Sequence, residues 1–107
     1  MTTPKNGMRP VPPGEILKEE FMKPLGLSAN ALARALDVPT NRVTGILNGT
    51  RIVTADTALR LARAFGTSPD VWLNLQQTYD LKIAARESGK KIERSVTPLS
   101  AEASDSL

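Results

Sequence analysis

The sequence contains no cysteine and no histidine. Without cysteine no disulfide can form, and without either residue the common Cys/His zinc sites are excluded. Thiol and imidazole groups are also missing as nucleophiles and general bases, so catalysis would need carboxylates, lysine, serine or tyrosine. The close carboxylate pairs, Glu19/Glu20 and Asp80/Glu87, come without a pocket signature or a glycine-rich phosphate loop. We therefore expect no catalytic residues, no metal site and no cofactor.

Aromatic residues and long hydrophobic runs are also scarce. Aromatic residues make up 4% of the chain, and no apolar cluster is longer than four residues, far short of a membrane span. The first 13 residues are polar and proline-containing, which does not fit a signal peptide. The net charge of +3 permits an anionic partner without requiring one. These features predict a cytoplasmic protein that does not enter a membrane.

The apolar residues recur at helical spacing, between prolines and glycines that divide the chain, and no stretch alternates steadily. This pattern predicts an all-α fold of five helices in one domain. The helices are expected over 13–22, 28–36, 39–48, 54–66 and 68–88. The domain would cover 11–88, after a flexible leader, 1–10, and before a tail, 89–107, that is basic and then polar. A short strand over 92–96 is an open alternative within that tail.

The segment 28–48 has the spacing of a helix-turn-helix. Leu32 and Ala33 give the large and then small apolar pair that lets a second helix cross the first. Asp37 follows in the turn, and aspartate is one of the few residues besides glycine that adopt a left-handed backbone. The second helix would then turn three apolar side chains inward, namely Val43, Ile46 and Leu47.

The outer face of this second helix is a candidate DNA-reading surface. An arginine can bind guanine with two hydrogen bonds, an asparagine can bind adenine, and threonine can contact phosphate or a thymine methyl. The helix contains no acid. Its glycine either brings bare backbone close to a groove or is simply tolerated at the surface. The free N–H groups that begin the preceding helix suit a phosphate. The candidate DNA-binding residues are Ser28, Ala29, Asn30, Thr40, Asn41, Arg42, Thr44, Gly45, Asn48 and Arg51.

The fifth helix carries more apolar residues than one surface stripe needs. The surplus suggests a subunit interface, which is also what this mode of DNA binding needs, because one short helix reads only a few base pairs. The candidate dimer residues are Trp72, Leu75, Tyr79, Leu81 and Ile83. For Trp72 the alternative is that it closes the core of a single chain.

Three stretches together resemble a known family. The run GLSANALARALDVPTNRVTGILNGTRIVT, 26–54, resembles the helix-turn-helix of the XRE/lambda-repressor-like family. PPGEILKEEFMKPLGLS, 12–28, and especially GTSPDVWLNLQQTYDL, 66–81, resemble HigA-type antitoxins, also called the VapI or plasmid-maintenance antidote group. The resemblance covers about 11–86. Three positions depart from the family pattern: Ala29 stands where glutamine is common, Asp37 where glycine is usual, and Pro39 where serine is common.

The resemblance implies a lambda-repressor-like fold and a type II antitoxin. Such an antitoxin binds and neutralises a small HigB-like mRNA-endonuclease toxin and, as a dimer, represses its own operon. Two toxin-binding surfaces stay open, around 8–22 and around 82–94. One alternative is an XRE-family regulator with no toxin, which is disfavoured because generic repressors lack the run WLNLQ, 72–76. The other is a helical interaction module that binds no DNA, which the acid-free outer face of the third helix disfavours.

Overall fold

The computed structural model describes residues 9–99. Within this range it contains five helices and no strand, which confirms the predicted all-α fold. Most of the predicted leader and the polar end of the predicted tail lie outside the described residues. Helix α1 is built of three consecutive segments, Pro13–Ile16, Leu17–Met22 and Lys23–Leu25, and the others are α2 (Ala29–Leu36), α3 (Thr40–Leu47), α4 (Ala55–Phe65) and α5 (Pro69–Ser95).

Helix α1 is longer than predicted. It continues through Pro24 and ends at Gly26, whose φ of 64° closes the helix in a left-handed conformation. The segment Leu17–Met22 is π-helical. A wider turn of this kind, immediately before Pro24, accommodates a proline that would break a regular α-helix. The prediction that α1 ends at residue 22 is therefore wrong.

Helices α2 and α3 form the predicted helix-turn-helix. The Oγ of Ser28 accepts a hydrogen bond from the N–H of Ala31 at 3.1 Å and so caps the start of α2. Asp37 ends α2 with φ 59° and ψ 49°, which confirms the left-handed turn. Val43 and Ile46 are buried in the core, as their spacing predicts, and Leu47 packs against it partly buried.

Trp72 of α5 lies at the centre of the core. Its relative exposure is 0%, and its ring centroid lies 4.8 Å from that of Phe21 and 6.2 Å from that of Phe65. Its Nε1–H donates to the Oγ1 of Thr67 at 2.8 Å, so the polar edge of the indole is also satisfied. Trp72 thus cannot contact a second subunit, and its assignment to a dimer interface was wrong because the core of one chain already encloses it.

Helix α5 extends farther than the sequence indicates. It continues to Ser95, whose Oγ donates to the carbonyl oxygen of Lys91 at 2.8 Å. The alternative of a strand over 92–96 is therefore wrong, and the domain boundary predicted after residue 88 falls within the helix. Gly89 does not end the helix, because a glycine inside a helix costs only about 1 kcal/mol relative to alanine.

Candidate nucleic-acid interface

Helix α3 directs polar side chains away from the core. Thr40, Asn41 and Asn48 are exposed, while Arg42 and Thr44 are half-buried at the sides of the same face. Helix α1 holds α3 from behind, where Gly14 lies against the backbone of Ile46 and Leu47. The face combines the hydrogen-bonding groups of asparagine, arginine and threonine on a rigidly packed helix, which suits the reading of base edges.

Gly45 has a different role from the one predicted. It is buried, and a Cβ placed on it would lie 2.7 Å from the Cγ of Arg51. Its carbonyl oxygen accepts hydrogen bonds from the N–H groups of Thr50 and Arg51 at 2.8 and 3.0 Å. The expectation that Gly45 presents bare backbone to a groove is wrong, since the missing side chain instead makes room for the stem of Arg51.

This packing brings Arg51 beside the outer face of α3. Arg51 itself is exposed, so its guanidinium is available to phosphate while its stem covers Gly45. Asn48 is partly committed to the same loop, because its Oδ1 accepts from the N–H and the Oγ1 of Thr50 at 3.2 and 2.8 Å. Its amide nitrogen is then the group best suited to an outside partner.

The start of α2 and the end of α3 line one groove. Ala29, Thr44 and Asn48 share it with Lys18 and Lys23 of α1. The Ser28 hydroxyl caps α2, which leaves the backbone N–H groups of this first turn as the donors for an anion. Asn30 is exposed at the same end of the helix.

The two lysines of this groove are not among the predicted site residues, because both stand near acids in the sequence: Lys18 precedes Glu19 and Glu20, and Lys23 follows them. Lys23 pairs with Glu19 at 3.0 Å, four residues along α1. Acids and lysines are mixed along the sequence of α1. Both lysines nevertheless line the groove that α1 forms with α2 and α3.

An ion-pair network joins α3 to α4. The Oδ2 of Asp56 accepts from Nη1 of Arg42 at 2.7 Å and from Nε of Arg60 at 2.8 Å. Hydrogen bonds from Arg60 and then from Arg42 hold the pKa of Asp56 below its usual value. Since a carboxylate with a lowered folded-state pKa stabilises the fold only when ionised, this contribution is present near neutral pH and is lost as the pH falls through that lowered value.

The remaining candidate dimer residues occupy different surfaces. Leu75 and Tyr79 line a groove with Val11 and Ile16, whereas Leu81 lines a separate groove. Leu81 is 62% exposed, and Leu75, Tyr79 and Ile83 are half-buried. With Trp72 buried and Leu81 apart from Leu75 and Tyr79, the five candidates do not form one continuous patch, and Leu81 is the one most available to a partner.

A buried glutamine on α5 was also missed. The Oε1 of Gln76 accepts from the N–H of Val53 at 2.7 Å, and its Nε2 donates to Asp80 at 3.0 Å. This pair fastens the segment that follows α3 to the long helix. The stretch 66–81, which carries the family resemblance, thus contributes the central tryptophan of the core and a buried polar contact that supports the loop beside α3.

The fold and the outward face of α3 define a helix-turn-helix protein, and the HTH_3 helix-turn-helix family matches residues 18–72. Virulence-associated protein I of Dichelobacter nodosus is 52% identical over 99 residues, which cover 92% of this chain and 90% of the relative. The solved structure of a HigA-family addiction module antidote protein from Coxiella burnetii is 64% identical, with a TM-score of 0.82, and the match covers 85% of this chain and 99% of that one.

The Pseudomonas aeruginosa antitoxin HigA, solved with the higBA promoter, is 46% identical with a TM-score of 0.83, over 85% of this chain and 99% of that one. The chain therefore belongs to the HigA-type antitoxin family. In residues 9–99 no helix is both long enough and apolar enough to cross a membrane.

Proposed function

We propose that this chain is a cytoplasmic, non-enzymatic antitoxin that binds its own operator as a homodimer, represses its operon, and neutralises a small mRNA-endonuclease toxin. The outward face of α3, with Asn41, Arg42 and Thr44 on a helix packed from behind, is the observation that carries the DNA-binding part. The Pseudomonas aeruginosa relative solved with its promoter supports it. The toxin-binding part rests on membership of the antitoxin family.

A dimer follows from the size of the reading helix. Helix α3 has eight residues and reaches only a few base pairs. Two copies related by a two-fold axis, about 34 Å apart, would read a palindrome in successive major grooves. The proposed operator is therefore an inverted repeat upstream of the gene.

Arg42→Ala is expected to weaken binding to the upstream DNA by about 1–3 kcal/mol, because the variant loses a side chain that would form a bidentate hydrogen bond with a base. The measurement is a titration followed by fluorescence anisotropy. Arg94→Ala, on the last turn of α5, removes the same charge far along the chain and is expected to leave the specific affinity nearly unchanged. Unchanged affinity for both Arg42→Ala and Asn41→Ala would contradict the placement of the reading face on α3.

Leu81→Glu is expected to weaken dimerisation at least tenfold, about 1.4 kcal/mol, because it replaces an exposed apolar side chain of α5 with a charged one that would have to be buried in the interface. The measurement is the molar mass in solution by light scattering over a dilution series. Leu59→Glu is the matched control, since Leu59 of α4 is 60% exposed and Leu81 62%. A monomeric wild-type protein at micromolar concentration would refute the dimer itself.

Co-expression with the product of a small neighbouring reading frame tests the toxin partner. If that product arrests growth when it is expressed alone, this chain is expected to restore growth and to co-purify with the product as a stoichiometric complex. Growth arrest that the chain does not relieve would leave a helix-turn-helix regulator with no toxin.

A further inference from the structure

Asp56 is an acid in direct contact with the reading face. It lies in the first turn of α4, and its Oδ2 contacts Arg42 of α3 at 2.7 Å. An acid beside a DNA-binding arginine repels phosphate and therefore weakens binding to DNA in general. The role of Asp56 at this position is therefore something other than the electrostatic attraction of DNA.

Asp56 is held in place independently of Arg42. Arg60, one turn along α4, donates from Nε to the same oxygen at 2.8 Å. Its Nη1 donates to the carbonyl oxygens of Leu36 and Asp37 at 2.9 and 3.2 Å. These carbonyls end α2 and form the left-handed turn, so the carboxylate is fixed relative to the helix-turn-helix by contacts that do not involve α3 side chains.

The contact engages one part of the Arg42 guanidinium. Among the residues that the structure describes, Arg42 makes its side-chain hydrogen bond through Nη1 alone. The Nε and Nη2 donors lie along the other edge in parallel, which is the fork that matches O6 and N7 of guanine. The side chain is 31% exposed and lines a surface groove, so part of it can be approached from outside.

We infer that Asp56 is a positioning residue that holds Arg42 by Nη1 and turns its Nε–Nη2 edge outward, and that it thereby sets base selectivity. It acts in two ways at once. It reduces the side-chain freedom that Arg42 must lose on binding, and it disfavours a looser contact of Arg42 with any phosphate. This inference rests on the proposed operator binding.

The test compares affinities of the full-length chain for its upstream DNA and for a shuffled duplex of equal length. Asp56→Ala is expected to bind the shuffled duplex more tightly and the upstream DNA more weakly, so that the ratio of the two affinities falls at least about fivefold. Asp56→Asn removes the charge but keeps an acceptor oxygen, and its ratio is expected to fall less. In an Arg42→Ala background, Asp56→Ala is expected to leave the ratio unchanged.

Asp70→Ala is the matched control. Asp70 stands in the first turn of α5 as Asp56 does in α4, so both variants lose the same favourable interaction with a helix N-terminus. The ratio of affinities is expected to stay at the wild-type value in Asp70→Ala.

Three outcomes would overturn the inference. An equal gain of affinity for both duplexes would show that Asp56 acts through charge alone. An equal loss for both, with a lower unfolding midpoint than that of Asp70→Ala, would show a structural role. Unchanged affinities of Asp56→Ala for both duplexes would show that Asp56 has no role in binding or selectivity. A wild-type protein that does not distinguish the two duplexes would contradict the proposed function itself.

Discussion

Trp72→Ala is expected to lower the free energy of unfolding by about 3–5 kcal/mol, the usual cost of truncating a fully buried large aromatic side chain. The variant removes the ring that contacts Phe21 and Phe65 and leaves a cavity between α1, α4 and α5. It also leaves Thr67 without the indole N–H that now donates to it. Urea denaturation followed by circular dichroism measures the change.

Val71→Ala is the control for this prediction, because Val71 is the neighbouring residue on α5 and is 40% exposed. We expect it to cost less than about 1 kcal/mol, as do most substitutions at partly exposed positions. A Trp72→Ala protein as stable as Val71→Ala would contradict the central place of Trp72 in the core. It would then restore Trp72 as a candidate contact for a second subunit.

Gly14→Ala is expected to cost about 3 kcal/mol of unfolding free energy, at the upper end of the usual range for overpacking. A Cβ on Gly14 would lie 2.9 Å from the carbonyl carbon of Ile46 and 2.9 Å from the Cα of Leu47. These are backbone atoms of α3, so they cannot rotate away, and α1 must separate from the reading helix. Thermal and urea denaturation measure the loss.

Gly89→Ala is the matched control for Gly14→Ala. Gly89 also lies in a helix, but no atom of residues 9–99 lies within 4 Å of a Cβ placed there, so the variant should gain up to about 1 kcal/mol from helix propensity. Equal stability of the two variants would contradict the close contact of α1 with the backbone of α3. A folded Gly14→Ala protein is also expected to bind upstream DNA more weakly, because α3 would no longer be held in place.

The helix-turn-helix was the most predictable part of the molecule. Its signals are local, since Ser28 caps α2 and Asp37 forms the turn within the segment they control. The inward positions Val43 and Ile46 follow from helical periodicity alone. The five-helix fold could be predicted for the same reason, because each helix has its own start or stop signal.

Two of the errors concern contacts that helical periodicity within one element does not reveal. The burial of Gly45 depends on the path of the loop that brings Arg51 back over it. The enclosure of Trp72 depends on Phe21, which lies 51 positions away in another helix. Likewise, helical periodicity shows that a residue of α5 belongs to an apolar face. It does not show whether the core of the same chain or a second subunit buries that residue.

The network around Arg42 was unpredictable for a similar reason. Helical periodicity places Arg42 on the outer face of α3, but it does not reveal that Asp56, from the next helix, contacts it. The length of α5 was underestimated because Gly89 and the polar residues after it resemble a helix end, although nothing in the backbone prevents the helix from continuing.

The most direct test of DNA reading by α3 is a titration of the wild-type protein with its own upstream DNA and with a shuffled duplex at several salt concentrations. We expect tighter binding to the upstream DNA at every salt concentration. For both duplexes the logarithm of the association constant should fall linearly with the logarithm of the salt concentration, as phosphate contacts release counterions. Equal affinity for the two duplexes, or binding that does not respond to salt, would contradict the proposal that this chain reads operator DNA.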